Sequence, residues 1–283
     1  MRDRFLTGLI GYPIAHSAAP AMHEEAAAAL GVRCHYQLIE VKGADRDDLR
    51  AMLEGIRRLG FAGVNVTFPY KEAVVELLDD LAPDARAIGA VNTIVADGAR
   101  LVGHNTDASG FVRAIAPLLA SAPRGPIALI GAGGVGKAIA FALAGLGVGE
   151  LRIFDADSVR AAQLAAQLAD RHVVHAASIV TAAHGAVGLV NATPVGMLPS
   201  RDTPVPDALL HRSMWIADAV YTPLWTPLLT MAKERGADVL TGRDLAINAS
   251  GDAFELFTGL TPPYAVMANA FDAVMAARYS PPA

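Results

Sequence analysis

Two spacings of hydrophobic residues take turns along this chain. FLTGLIG (residues 5–11), CHYQLIEV (34–41) and AGVNVTF (62–68) are apolar runs of strand length. PAMHEEAAAALG (20–31), ADRDDLRAMLEGIRRLG (44–60) and KEAVVELLDDL (71–81) space their apolar positions as helices do, and Gly31 closes the first of them. The alternation predicts a parallel sheet with helices packed on it. AVNTIVADGARLVGHN (90–105) reads as a short strand pair turning on Asp97-Gly98. A Pro/Gly break, SAPRGP (121–126), marks the passage to a second α/β unit. There IALIGAGGVGKAIAFALAGLG is strand, glycine turn and helix, LRIFD a strand and SVRAAQLAAQLADR a helix. GLVNATPVGM and SMWIADAVY are two more strand ends. The tail, DLAINASGDAFELFTG and PYAVMANAFDAVMAARY, reads as two helices that the pattern assigns to neither unit.

Composition narrows the class. At 283 residues, 53% hydrophobic and 18% charged, the chain can bury a sizeable core. A net charge of −5 with mixed signs argues against nucleic acid and an anionic membrane surface. No apolar run is long enough for a leader or a membrane span, which points to the cytoplasm. Cys34 is the single cysteine, so no intrachain disulfide can form, and a small packing role is expected for it. The histidines lack metal-ligand spacing, so no metal is expected. His16 and His23 are expected to be structural hydrogen-bonders. The acidic run Asp45 to Asp48 reads as a solvated helix start.

Chemistry-bearing residues cluster at strand ends. Gly131-Ala132-Gly133-Gly134-Val135-Gly136 follows a strand and opens a helix, as a dinucleotide-binding turn does. Asp155 ends the next strand. A carboxylate there accepts ribose hydroxyls and repels a 2′-phosphate, so NAD is expected over NADP. Pro69 stops the strand that carries Asn65 and Thr67 on one face. Val64, Val66 and Phe68 are expected to fill the other face. The two polar residues need partners, which a polyhydroxylated ligand would supply. Lys71 follows at the expected start of a helix, where the dipole disfavours a cation and favours a proton-transfer role. Asn92, Thr93 and the run from Gly103 to Asp107 form a second polar cluster. Two readings stand for Asp107: an N-cap of the next helix, or a carboxylate that holds the Lys71 amine.

Taken together, GVNVTFPYK, AVNTI, GHNTDASGF, GAGGVGKA, NATPVGM and ADAVYTPLWTPLL resemble the shikimate/quinate dehydrogenases, in order from Gly8 to about Gly259. The resemblance implies two α/β domains with a cleft between them. One is a substrate-binding domain (1–104, completed by helices over 245–283), the other a Rossmann NAD(P)-binding domain (105–244). It implies reversible hydride transfer between NAD and a ring hydroxyl of a cyclic polyhydroxy carboxylate, shikimate or quinate, by a monomer or homodimer. Carried over, Lys71 and Asp107 match the catalytic pair. Ser17, Asn65, Thr67, Asn92 and Tyr221 match substrate binders, while Thr193, Pro194 and Gly242 fall near the nicotinamide. Two departures stand out: Ala19 replaces the family's second loop hydroxyl, and Ala249 replaces its tail glutamine. They leave open a paralogue acting on another hydroxylated or amino-substituted ring acid. A catalytically weak NAD-binding regulatory protein is a further alternative, against which the intact Lys71 and Asp107 argue.

Overall fold

The structure, a computed structural model, describes residues 3–279. In chain order the elements begin β1 (Arg4–Gly11), α1 (Ala19–Ala29), β2 (Arg33–Glu40), α2 (Arg46–Arg58), β3 (Gly63–Val66), β4 (Asp80–Leu81) and α3 (Pro83–Ile88). They continue with β5 (Thr93–Asp97), β6 (Arg100–His104), α4 (Thr106–Ser121), β7 (Ile127–Ile130), α5 (Gly134–Gly145), β8 (Leu151–Phe154) and α6 (Ser158–Gln167). The last are β9 (Val173–His175), α7 (Ile179–Ala183), β10 (Gly188–Asn191), β11 (Trp215–Asp218), α8 (Pro227–Glu234), β12 (Asp238–Leu240), α9 (Gly242–Thr258) and α10 (Tyr264–Tyr279). Among the described residues no helix is long and apolar enough to cross a membrane. The chain divides into two compact units, 1–106 with 247–283, and 107–246.

The first unit is a six-stranded mixed sheet ordered β2-β1-β3-β5-β6-β4. β1 pairs in parallel with β2 and β3, whereas β5 runs antiparallel to β3 and β6. The β5–β6 hairpin turns at Gly98, whose φ of 60° a side chain would resist. On one face Ile10, Val64, Val66 and Ile94 pack against Leu49, Leu53 and Ile56 of α2. That helix starts in a capping box, Asp45 accepting from the Asp48 amide and Asp48 answering at the Asp45 amide, so the acidic run is a helix signal as well as a solvated surface. On the other face the penultimate helix α9 lays Ala253 and Phe257 against Phe5 and Ala62. Gly63 makes this possible, because a Cβ there would stand 2.3 Å from the Ile94 carbonyl oxygen and 2.5 Å from the Phe257 ring.

KEAVVELLDDL is not an α-helix. It makes turns, one 3₁₀ turn at Val75–Leu77, and then the extended β4. Its helical spacing loses to edge pairing. The Asp79 amide donates to the Leu101 carbonyl (3.1 Å) and the Asp79 carboxylate accepts from the Leu101 amide (2.7 Å) and Arg57 (3.0 Å). Asp80 takes Arg86 (2.8 Å) and Arg100 (3.0 Å). Two adjacent acids facing three arginines tie the segment to β6 more firmly than local propensity could hold a helix. The dipole argument for Lys71 therefore has no helix behind it.

The second unit is an all-parallel sheet ordered β12-β11-β10-β7-β8-β9. Counted from its own first strand this is the 3-2-1-4-5-6 order of dinucleotide-binding domains, with the topological switch between β7 and β10. Leu129, Leu151, Ile153, Val190, Trp215, Phe111 and Ile115 form one core face, and Leu189, Ile216, Leu228 and Leu229 belong to the other. Because Phe111 and Ile115 of α4 pack in that core, the SAPRGP break lies inside the second unit and is not the passage between units. The sequence pattern passed over α3, β4, β9, α7, α8 and β12, all short and several with a single buried residue or none to mark a period.

Gly63→Ala is expected to destabilise the first unit by about 2 kcal/mol, the usual scale for overpacking against backbone. Urea unfolding of the variant against the parent protein measures it.

Candidate active site

In the first unit Asn65, Thr67, Lys71 and Asn92 lie where β3 ends and β5 begins. After Val66 the chain stays paired with β1: the Thr67 amide donates to Ile10 (2.9 Å) and the Phe68 carbonyl accepts from Tyr12 (3.0 Å). Phe68 lies past the end of β3 and is 56% exposed, so it does not fill the core. Tyr70 does so instead, its hydroxyl donating to the Val41 carbonyl (2.7 Å) and accepting from the Ala44 amide (2.9 Å). Asn65 has protein partners already. Its Oδ1 accepts from the Tyr36 hydroxyl (2.7 Å), and its Nδ2 donates to Thr93 Oγ1 (3.0 Å) and the Asn92 carbonyl (3.2 Å). The expectation that a ligand must satisfy this residue is thus overturned, since cross-strand neighbours do so. Thr67 is half-buried with its methyl group turned to Gly11, where a Cβ would stand 2.3 Å from it.

Asn92 is the knot of this cluster. Its Oδ1 accepts the Thr106 amide (2.7 Å) and the Thr93 hydroxyl (3.0 Å), and its Nδ2 donates to Thr106 Oγ1 (2.9 Å). Asn92 therefore satisfies the first amide of α4, as a capping side chain would. Asp107 sits within the first turn of α4 and is buried, so the N-cap reading for it fails. Lys71 is buried as well, and its carbonyl accepts from the Val91 amide (2.8 Å). The loop before α1 is held by Glu40, which accepts from the Ile14 (2.8 Å) and Ala15 (3.2 Å) amides. Ser17 Oγ accepts from the Ala19 amide (3.2 Å), and Ala19 itself is buried.

In the second unit three glycines carry three separate demands. Gly131 has φ 104°, and a Cβ on it would meet the Ala192 backbone at 2.9 Å. A Cβ on Gly136 would stand 2.1 Å from the Gly131 carbonyl oxygen, so α5 can approach β7 only without one. Above Gly133 there is open space, and no side chain caps α5. Uncapped amides beside room for a ligand fit a pyrophosphate at this helix N-terminus. Asp155 follows β8, its carboxylate accepting from the Ala132 amide (2.6 Å) inside the glycine loop and from Asp157 (2.8 Å). Asp157 is the N-cap of α6. The residues present fit a dinucleotide.

A second polar knot, which the sequence reading missed, joins the ends of β10 and β11. Asn191 Nδ2 donates to the Asp218 carboxylate (2.9 Å), which also accepts from the Val220 amide (2.9 Å) and the Thr226 hydroxyl (2.7 Å). Burial pushes the Asp218 carboxyl up to about 7, against the pull of these donors. Asn191 Oδ1 accepts from the Thr193 hydroxyl (2.7 Å), so Thr193 is engaged in its own turn, with Pro194 exposed beside it. Gly242 opens α9, and a Cβ on it would stand 2.7 Å from the Ala219 and Val220 carbonyl oxygens. Tyr221 is half-buried on the loop that Asp218 anchors. The signal was present in the sequence: two apolar strands, GLVN and WIAD, each end on a polar residue.

A family profile described as "Shikimate dehydrogenase substrate binding domain" matches residues 9–94, and one described as "ThiF family" matches 119–195. A Streptomyces avermitilis protein named shikimate dehydrogenase (NADP(+)) is 43% identical over 270 residues, 92% of each chain. The chain belongs to the shikimate/quinate dehydrogenase family. A Corynebacterium glutamicum quinate/shikimate dehydrogenase (NAD(+)) is 41% identical over 281 residues, 96% of this chain and 99% of the other. Among solved structures, quinate dehydrogenase from Corynebacterium glutamicum in complex with NAD superposes with a TM-score of 0.87 at 40% identity, covering 96% of this chain and 100% of that one. The Thermus thermophilus shikimate 5-dehydrogenase in complex with NADP(H) and shikimate gives 0.85 at 37%, covering 95% and 99%. As a shikimate/quinate dehydrogenase relative, the chain is an NAD(P)-dependent oxidoreductase acting on a CH–OH group.

His23 departs from its expected role as a hydrogen-bonder. It is fully buried among Tyr36, Phe254 and Phe257, and neither ring nitrogen meets a hydrogen-bond partner among the described residues. Burial lowers its pKa to about 3. The unfolded chain then binds a proton near pH 6.5 that the folded chain refuses, so stability falls as pH drops from 6.5 toward 3. Between pH 7 and pH 5 this costs about 2 kcal/mol. Urea melts at both pH values are expected to show that loss in the parent protein and its absence in His23→Leu.

Proposed function

We propose that this chain oxidises a ring hydroxyl of a cyclic polyhydroxy carboxylate, shikimate or quinate, with NAD preferred over NADP, and that Lys71 and Asp107 carry the proton transfer. One observation carries the reading. Consecutive residues Val91 and Asn92 hold the Lys71 carbonyl and the Thr106 amide, and Asp107 is the next residue after Thr106. The backbone at Lys71 and the backbone at the residue before Asp107 are thereby held by one short stretch of chain. Lys71 is the base that takes the hydroxyl proton during oxidation and returns it during reduction, while Asp107 keeps the amine oriented. The nicotinamide ring, when bound, supplies the hydride acceptor at the carbinol carbon. The open backbone at Gly133 and the amides of Gly134, Val135 and Gly136 receive the pyrophosphate, and Asp155 meets the adenosine ribose. Ser17, Asn65, Thr67, Asn92 and Tyr221 bind the ring acid, while Thr193, Pro194 and Gly242 border the nicotinamide.

Asp155 supports the NAD preference. A carboxylate already directed into the glycine loop offers an acceptor to ribose hydroxyls and a repulsive charge to a 2′-phosphate. Ala19 and Ala249 favour a second reading of the substrate: a related hydroxylated or amino-substituted ring acid. Both are buried methyl groups where the family pattern has a hydrogen-bonding side chain.

A spectrophotometric screen of NAD and NADP with shikimate, quinate and other cyclic hydroxy acids tests the reading. NAD-linked turnover of at least one ring acid is expected, and Lys71→Ala is expected to lower kcat by about 10²–10⁴-fold. Turnover that survives this substitution removes the lysine from the mechanism. Asp155→Ala is expected to lower the NAD/NADP ratio of kcat/KM by about tenfold or more, since a hydrogen bond to a charged group contributes about 1.5–3 kcal/mol. Because Asp155 also accepts from Ala132, the ratio and not the absolute rate is the measure.

A further inference from the structure

Asn65 has two ends, and its surroundings leave one assignment for them. One end faces the Asn92 carbonyl oxygen, which can only accept, so that end is the NH₂ group. The NH₂ group also donates to Thr93 Oγ1, whose own hydrogen goes to Asn92 Oδ1. Both amide hydrogens are therefore spent inside the protein. The other end is the carbonyl oxygen, which accepts from the Tyr36 hydroxyl at 2.7 Å and keeps one lone pair. Tyr36 is itself fixed. It is buried on β2, its amide donates to Glu24 (2.9 Å), and its ring lies 4.6 Å from that of His23. Asn65 is half-buried, so the residue is not sealed from a ligand.

We propose that Tyr36 is a positioning residue for Asn65, locking the amide so that it can meet a ring acid only as a hydrogen-bond acceptor. The ring position that Asn65 reads must then carry a donor, a hydroxyl or a protonated amine. A ketone or ether oxygen at that position meets an oxygen lone pair and is rejected. The inference rests on the reading above that Asn65 binds the substrate ring, and it adds a residue and a polarity to that reading.

The test has two arms on the full chain. The first needs no substrate: hydrogen exchange of the Asn65 side-chain NH₂ group, followed by ¹⁵N NMR and assigned by its loss in Asn65→Ala. Tyr36→Phe is expected to speed that exchange at least about threefold while the melting temperature shows the fold intact. Unchanged exchange overturns the lock. The second arm is a double-mutant cycle with a ring acid that the screen shows to be turned over. Tyr36→Phe is expected to raise KM about three- to tenfold, the worth of one hydrogen bond, with kcat changed less than twofold. In an Asn65→Ala background the same substitution is expected to change KM less than twofold. Equal effects of Tyr36→Phe in both backgrounds overturn the relay while Asn65 keeps its role. An Asn65→Ala variant with unaltered KM overturns the substrate role of Asn65 and the inference with it.

Discussion

The first unit is organised around one buried amide. Asn92 donates its backbone N–H to the His104 carbonyl and accepts at its own carbonyl from Val66 and from the Asn65 side chain. Its side chain then closes on Thr93 and Thr106. A buried polar group costs heavily unless each donor and acceptor is met, and here β3, β5, the end of β6 and the start of α4 are all needed to meet them. Such a network tolerates one arrangement. It fixes where α4 begins and therefore where Asp107 lies on it.

The second unit meets a related demand at the ends of its parallel strands. Asn191 and Asp218 finish neighbouring strands and share a hydrogen bond, so the two loops that follow are tied at their roots. Three neutral donors surround the Asp218 carboxylate and pull its pKa down, but burial outweighs them and lifts the carboxyl to about 7. At β7 the constraint is volume and not charge. Gly131 and Gly136 are glycines because backbone lies where their Cβ atoms would be, whereas Gly133 is open. The same motif thus holds two structural glycines and one that leaves room for a ligand.

Lys71, Asp107 and the glycine loop stand as the family pattern has them. Alanines stand at 19 and 249, where that pattern has hydrogen-bonding side chains, and the Tyr36 hydroxyl donates to Asn65 Oδ1.

The sequence by itself determined the strand–helix rhythm, the hairpin at Asp97-Gly98, the glycine loop with its acidic residue one strand later, and the family. Each of these is a local pattern: periodicity, turn chemistry or a contiguous motif. Only the tertiary structure decided that residues 71–81 abandon their helical spacing, because β6 and three arginines compete for Asp79 and Asp80. Only the fold showed that Phe68 faces solvent, that His23 has no polar partner, and that Asn65 is already bonded to Tyr36 and Thr93. The Asp218 knot also became visible only there. At Asp79, Asp80, Asn65 and Asp218 the deciding partner is remote in sequence. Strand register, which residue spacing does not encode, chooses that partner.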